Sequence, residues 1–158
     1  MEFQTDIFSQ FNDKWALLCA GEGDDFNAMT ISWGGMGTLW GKDVVTVYVK
    51  PVRYTWQFME RNDYFTVSFY PPECRRALEI MGTKSGRDCD KASEAGLTPV
   101  PVEHGVSFAE AELTMVCRKI YSQDLSRDTM PEKVVQTFYT REEPHRMYVG
   151  EVVALLRR

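Results

Sequence analysis

Apolar and polar positions alternate most cleanly at 64–70, where Phe65, Val67 and Phe69 face one way and Tyr64, Thr66, Ser68 and Tyr70 the other. A period of two predicts a strand with one buried face. Pro71-Pro72 then ends it. The same alternation runs through 44–50, with Val45, Val47 and Val49 on one side, and through the short run 28–33. Further strands are predicted at 15–20 and 147–155. A long β-rich stretch covers 108–124, with Leu113, Met115 and Cys117 on one face. Helical spacing appears at 52–61 (Trp56, Met59), at 73–81 (Ala77, Leu78, Met81), at 90–95 before Gly96, and at 131–139, which opens with a proline.

The segments between these elements read as connections. Residues 21–25 and 82–88 are polar loops, 34–42 is a glycine-rich turn, and Pro99 and Pro101 mark an irregular link. Phe3, Ile7, Phe8 and Phe11 predict an amphipathic lead-in that packs on the body as a flap. Strands joined by turns or short helices predict a mainly β chain, an antiparallel barrel with peripheral helices. No repeat, low-complexity tract or linker interrupts residues 1–158, which predicts one domain.

Composition narrows the function. The 44% hydrophobic content excludes disorder, and a net charge of −5 provides no electrostatic footprint for nucleic acid or anionic lipid. An oligonucleotide-binding barrel would need a basic groove. Apolar runs are strand-sized, so no membrane span is expected. The opening MEFQTDIFSQF lacks a basic region followed by an apolar block, so the expected compartment is the cytoplasm. Cys19, Cys74, Cys89 and Cys117 contain no C-x-x-C pair and read as structural thiols.

Candidate chemistry gathers in 27–55. Pro51 stops a strand, and Arg53, Tyr54 and Thr55 fall on a helix start. The unpaired N–H groups there favour an anion, and a guanidinium and a hydroxyl add donors suited to phosphate. A solvated Arg53 and a capping Thr55 would produce the same spacing. Acid–base equipment is sparse. His104 sits in a loop-like Glu-His-Gly, and His145 precedes the last strand as either a structural or a site-lining residue. No nucleophile elbow, zinc motif, P-loop or dinucleotide fingerprint occurs, and no metal site is expected. Such scarcity suits a protein whose redox chemistry is carried by a cofactor.

Five ordered pieces then resemble one family. They are Asn27-x-Met29-Thr30-x-Ser32-Trp33-Gly34-Gly35, the run 49–55, the run 62–69, Gly82-Thr83-Lys84-Ser85-Gly86-Arg87-Asp88 with Asp90-Lys91, and the closing run 145–152. Together they resemble the flavin reductase-like FMN-binding split barrels, the flavoredoxin-like branch. The resemblance implies a Greek-key split β-barrel, bound FMN, and a homodimer with FMN near the interface.

By the same resemblance, Met29, Thr30 and Ser32 line the flavin, with Trp33 as a wall. Arg53 and Thr55 hold the phosphate beside Tyr54, Ser68 lies near the ring, and Ser85 and Lys91 belong to a closing segment. Lys91 read by itself is equally a helix-surface lysine. Lys50 and Val52 depart from the family pattern, which leaves no contact assigned to them. The implied function is an NAD(P)H-dependent flavin or ferric-type reductase passing electrons through FMN. The alternative is a non-enzymatic FMN carrier between redox proteins.

Overall fold

The computed structural model describes residues 2–158. Seven antiparallel strands form one sheet in the order β2 (Asp25–Ile31), β1 (Ala16–Glu22), β5 (Tyr64–Phe69), β8 (Leu113–Asp124), β9 (Arg146–Arg157), β4 (Lys42–Val49), β3 (Gly34–Leu39). The two edge strands, β2 and β3, are consecutive in the chain and separated only by Ser32 and Trp33. So short a link spans about 10 Å, so the sheet must curl until its edges approach. The result is a barrel split along one seam, and that seam is where the candidate site lies.

Both faces of the curled sheet are buried near β1. Leu18 and Ala20 point into the barrel with Val45, Val47, Val49, Phe65, Val67, Phe69, Met115 and Cys117. Leu17 and Cys19 point outward against Leu78, Met81, Val106 and Phe108. A strand buried on both faces reads as a continuous apolar run, as 16–20 does. The outer layer holds α3 (Arg75–Thr83) and α4 (Lys91–Ala95) beside β2 and β1. Helix α2 (Tyr54–Arg61) follows β4.

Several expectations are corrected. The glycine-rich 34–42 is not one turn: 34–39 is β3, paired with β4 from Gly34↔Val47 to Leu39↔Lys42. Only Trp40 and Gly41 turn, both at positive φ (52° and 70°), as a tight two-residue hairpin requires. Three of its six residues are glycine, so no alternation could announce this strand. The link marked by Pro99 and Pro101 is a hairpin, β6 (Pro99–Val102) with β7 (Gly105–Phe108). Its prolines are tolerated because the pair forms a separate two-stranded sheet. Phe108 therefore ends β7 and does not start β8.

The helix expected from 73 begins as a 3-10 turn, Pro72–Cys74, and continues as α3 to Thr83. In the N-terminal helix α1 (Ile7–Asn12), Phe11 is buried, but Phe8 is 90% exposed and Ile7 is also exposed, so only part of the flap packs. Helix α5 (Glu132–Phe138) lies between β8 and β9.

Candidate functional site

Two adjoining compartments open at the seam. The first, about 340 Å³, is lined by Met29, Thr30, Ile31, Ser32 and Trp33 from the end of β2, Tyr48 and Lys50 from the end of β4, and Glu142 and His145 from the α5–β9 connection. The second, about 280 Å³, lies between the start of α2 and the loop after α3. Val52, Arg53 and Glu142 line both. Nine of the ten residues singled out from sequence line one or the other. Met29, Thr30, Ser32 and Trp33 fall in the first, Tyr54, Thr55, Ser85 and Lys91 in the second, and Arg53 at the junction.

Ser68 is the exception. It is 1% exposed and bonded to Ser107 (3.2 Å) and Thr114 (3.1 Å), outside both linings. On β5 the side chains that alternate with Phe65, Val67 and Phe69 face β7, which covers them; Thr66 likewise donates to Val106 O. Without that hairpin in view, Ser68 reads as free to meet a ligand.

The second compartment is cationic. Arg53, Lys84, Arg87 and Lys91 line it against the single carboxylate of Glu142, in a chain whose net charge is −5. Lys91 is not a surface lysine: it is 5% exposed, and its Nζ donates to Met81 O at 3.0 Å. Burial, then the nearby Arg53 charge, pushes its pKa down to about 8. Arg53 donates to Gly82 O at 3.3 Å, and burial holds it below the ordinary arginine value. Both cations thus rest on carbonyls near the C-terminus of α3, and each keeps donors to spare. Arg53 is also the N-cap of α2, whose first turn carries no side-chain cap. Two cations crowded at an uncapped helix start, one weakening the other, form a donor set that an anion would complete.

Thr55 is not a cap. Its hydroxyl accepts from Asn27 Nδ2 at 2.7 Å, a buried bond that ties β2 to α2. Gly86 closes the loop onto this pair: a Cβ there would overlap Asn27 Oδ1 and lie 3.1 Å from Tyr54 Cδ2. Arg87 reaches back over the Tyr54 ring at 4.9 Å. Gly86→Ala is therefore expected to lift the 84–88 loop and destabilise the protein by about 1–3 kcal/mol through overpacking. Anion binding should weaken with it, and paired melts and phosphate titrations of the variant check both effects.

The first compartment has an aromatic wall. Trp33 meets Phe138 edge-on at 5.2 Å and His145 at 5.4 Å, and Tyr139 OH bonds His145 Nδ1 at 2.7 Å. Burial, then the Lys50 charge, pulls the His145 pKa down to about 4, so the ring is neutral near pH 7. Lys50 pairs with Glu142 at 2.7 Å.

Asn27, Lys50, Arg87 and Glu142 thus join a site to which sequence assigned them no role, and His145, open between a structural and a site-lining place, lines the first compartment. Asn27, Lys50, Arg87 and His145 lie in the runs that carry the family resemblance, whereas Glu142 sits in an unpatterned connection with no signal. Among the described residues, no cluster of three or more His, Cys, Asp or Glu could hold a metal, and no helix is long and apolar enough to cross a membrane.

A split barrel whose seam holds a cationic compartment beside an aromatic one defines a class of small-ligand-binding β proteins. Within that class, a sequence model described as "Flavin reductase like domain" matches residues 8–158, and the chain belongs to this family. Solved structures share the fold. Flavoredoxin from Methanosarcina acetivorans is 18% identical with a TM-score of 0.74, covering 100% of this chain and 75% of its own. An FMN-binding protein from Thermus thermophilus, with bound 1-cyclohex-2-enone, is 17% identical at TM-score 0.72, covering 99% and 79%. An NADH:FAD oxidoreductase from Streptomyces globisporus is 16% identical at TM-score 0.69, covering 92% and 75%. No curated protein matches by sequence.

Proposed function

We propose that this chain binds FMN across the seam and works as an NAD(P)H-dependent reductase of flavin or ferric-type acceptors. The observation that carries the reading is the division of the cleft: an aromatic, largely neutral compartment adjoins a cationic one, matching a flat ring system with a phosphate at the end of its side chain. Arg53, Lys91 and the first turn of α2 would hold the phosphate, and Trp33, Met29 and the Thr30–Ser32 backbone would border the ring. Family membership supports the flavin, and the phosphate donors favour FMN.

Bound flavin would supply hydride acceptance and electron transfer, which no protein side chain offers. The chain's own part is binding and exclusion of water. His145, neutral and held by Tyr139, keeps the ring side free of a further positive charge. The carrier reading uses the same cleft and differs only in its electron donor, a redox protein. Homodimerisation belongs to the proposal, supported by the exposed Trp40 and Tyr121, which meet edge-on at 6.1 Å on one face. The cytoplasm is the proposed compartment, supported by four free thiols.

The expected result is that FMN binds more tightly than riboflavin in fluorescence titration; equal affinities would remove the phosphate role. Rapid bleaching of flavin absorbance on mixing the loaded protein with NADH or NADPH in stopped flow marks the reductase. No bleaching with either marks the carrier.

A further inference from the structure

Glu142 is the one carboxylate among the cleft's lining residues, and it borders both compartments. Its place is built. Arg127 donates to Tyr139 O (3.2 Å) and to Glu142 O (2.7 Å), while Lys50 donates to Phe138 O (3.3 Å) and to the Glu142 carboxylate (2.7 Å). The backbone around 138–143 is thus held from two sides, with the carboxylate turned toward Lys50. Arg53, the phosphate donor argued above, lines the same junction. The hydrogen bond from Lys50, then its charge and to a lesser degree that of Arg53, keep the Glu142 carboxyl below its usual range, so it is ionised near pH 7.

We propose that Glu142 is a specificity-determining residue, an internal anion that screens Lys50 and Arg53 at the junction and sets how strongly the cleft prefers a phosphorylated ligand to a neutral one. An incoming phosphate held by Arg53 and Lys91 competes with this carboxylate for the field of Arg53 and is repelled by its charge. A neutral ligand meets neither effect, so Glu142 narrows the preference for anions that Arg53 and Lys91 create. The inference rests on the flavin reading for its physiological ligand but not for its electrostatics.

Its test compares wild type with Glu142→Gln, which keeps shape and hydrogen-bonding capacity while removing the charge. Affinities for FMN, riboflavin and inorganic phosphate are measured by titration at low and high salt. The Glu142 side chain is 45% exposed, which limits the effect. The variant should bind FMN and phosphate about two- to fivefold more tightly at low salt. Riboflavin should be unchanged, and the gain should vanish at about 1 M NaCl, where the Debye length is about 3 Å.

Weaker FMN binding in the variant would show that Glu142 holds the cleft wall and would overturn the proposal. So would an equal shift for riboflavin, or a gain that survives high salt. Should neither flavin bind wild type, the flavin reading fails and the phosphate arm decides alone. Tighter phosphate binding by the variant supports the screen, and equal, weaker or no binding overturns it.

Discussion

Arg53→Ala should lose about ten- to a hundredfold in FMN affinity, because a hydrogen bond to a charged group contributes on the order of 1.5–3 kcal/mol and each 1.4 kcal/mol is about tenfold. Riboflavin has no phosphate and should lose far less, so the variant keeps a working ring compartment with a narrowed preference. The structure adds one qualification to the stability of the empty protein. Arg53 donates to Gly82 O at a long 3.3 Å, so its removal frees one carbonyl at the end of α3. A small drop in melting temperature is expected, and a large one is not. Paired titrations with both flavins and a melt of each apo-protein check these outcomes. Equal losses for the two flavins would show that Arg53 holds the fold and does not read the phosphate.

Lys91→Met should act in opposite directions on affinity and on stability. Lys91 is 5% exposed and its one protein partner is a carbonyl, so as a cation it is costly to bury without an anion. Methionine fills similar space without charge. The apo-protein should melt higher, by roughly 2–4 °C for each kcal/mol regained. FMN affinity should fall by about tenfold or more, at the scale of one charged hydrogen bond.

The pH dependence follows from the sign of the shift. The folded pKa, about 8, lies below the ordinary lysine value of 10.5. The unfolded chain therefore binds more protons between those values, so the burial cost is at full strength below about pH 8 and is relieved as pH climbs toward 10.5. Wild-type apo-protein should thus gain stability over that window relative to the methionine variant. A bound phosphate would raise the pKa again, so FMN affinity should decline above about pH 8 in wild type. That decline should be shallower in Lys91→Met. Titrations near pH 7 and pH 9.5 with both proteins decide it, and parallel pH profiles would remove Lys91 from the site.

The local readings that survived share a physical basis. The alternation at 44–49 reports which side of a strand is buried, a period of two set by the strand itself. At 64–69 it marks only the side that meets the barrel core, because β7 also buries the Thr66 and Ser68 side. Pro51 and Pro71 end strands because proline lacks the N–H, a property of the residue itself. Arg53 and Thr55 were legible because a helix start is written locally.

What failed was whatever depended on a neighbour distant in sequence. Strand β3 exists because Gly34 to Leu39 meets β4, and its glycines hide it from any pattern. Ser68 is taken from the cleft by β7, 39 residues away along the chain from its partner Ser107. Lys91 is carried inward because α3 and α4 dock on the outer face of β1 and β2, which turns a polar helix position into a buried cation.

The sequence by itself determined the family, the helices, the strands other than β3, β6 and β7, and the residue types of a phosphate site, since each is encoded over a few consecutive positions. The tertiary structure alone decided which of those residues meet. The seam exists because two edge strands joined by Ser32 and Trp33 must approach each other, and only that closure sets the end of β2 against the start of α2, the loop after α3 and the carboxylate of Glu142.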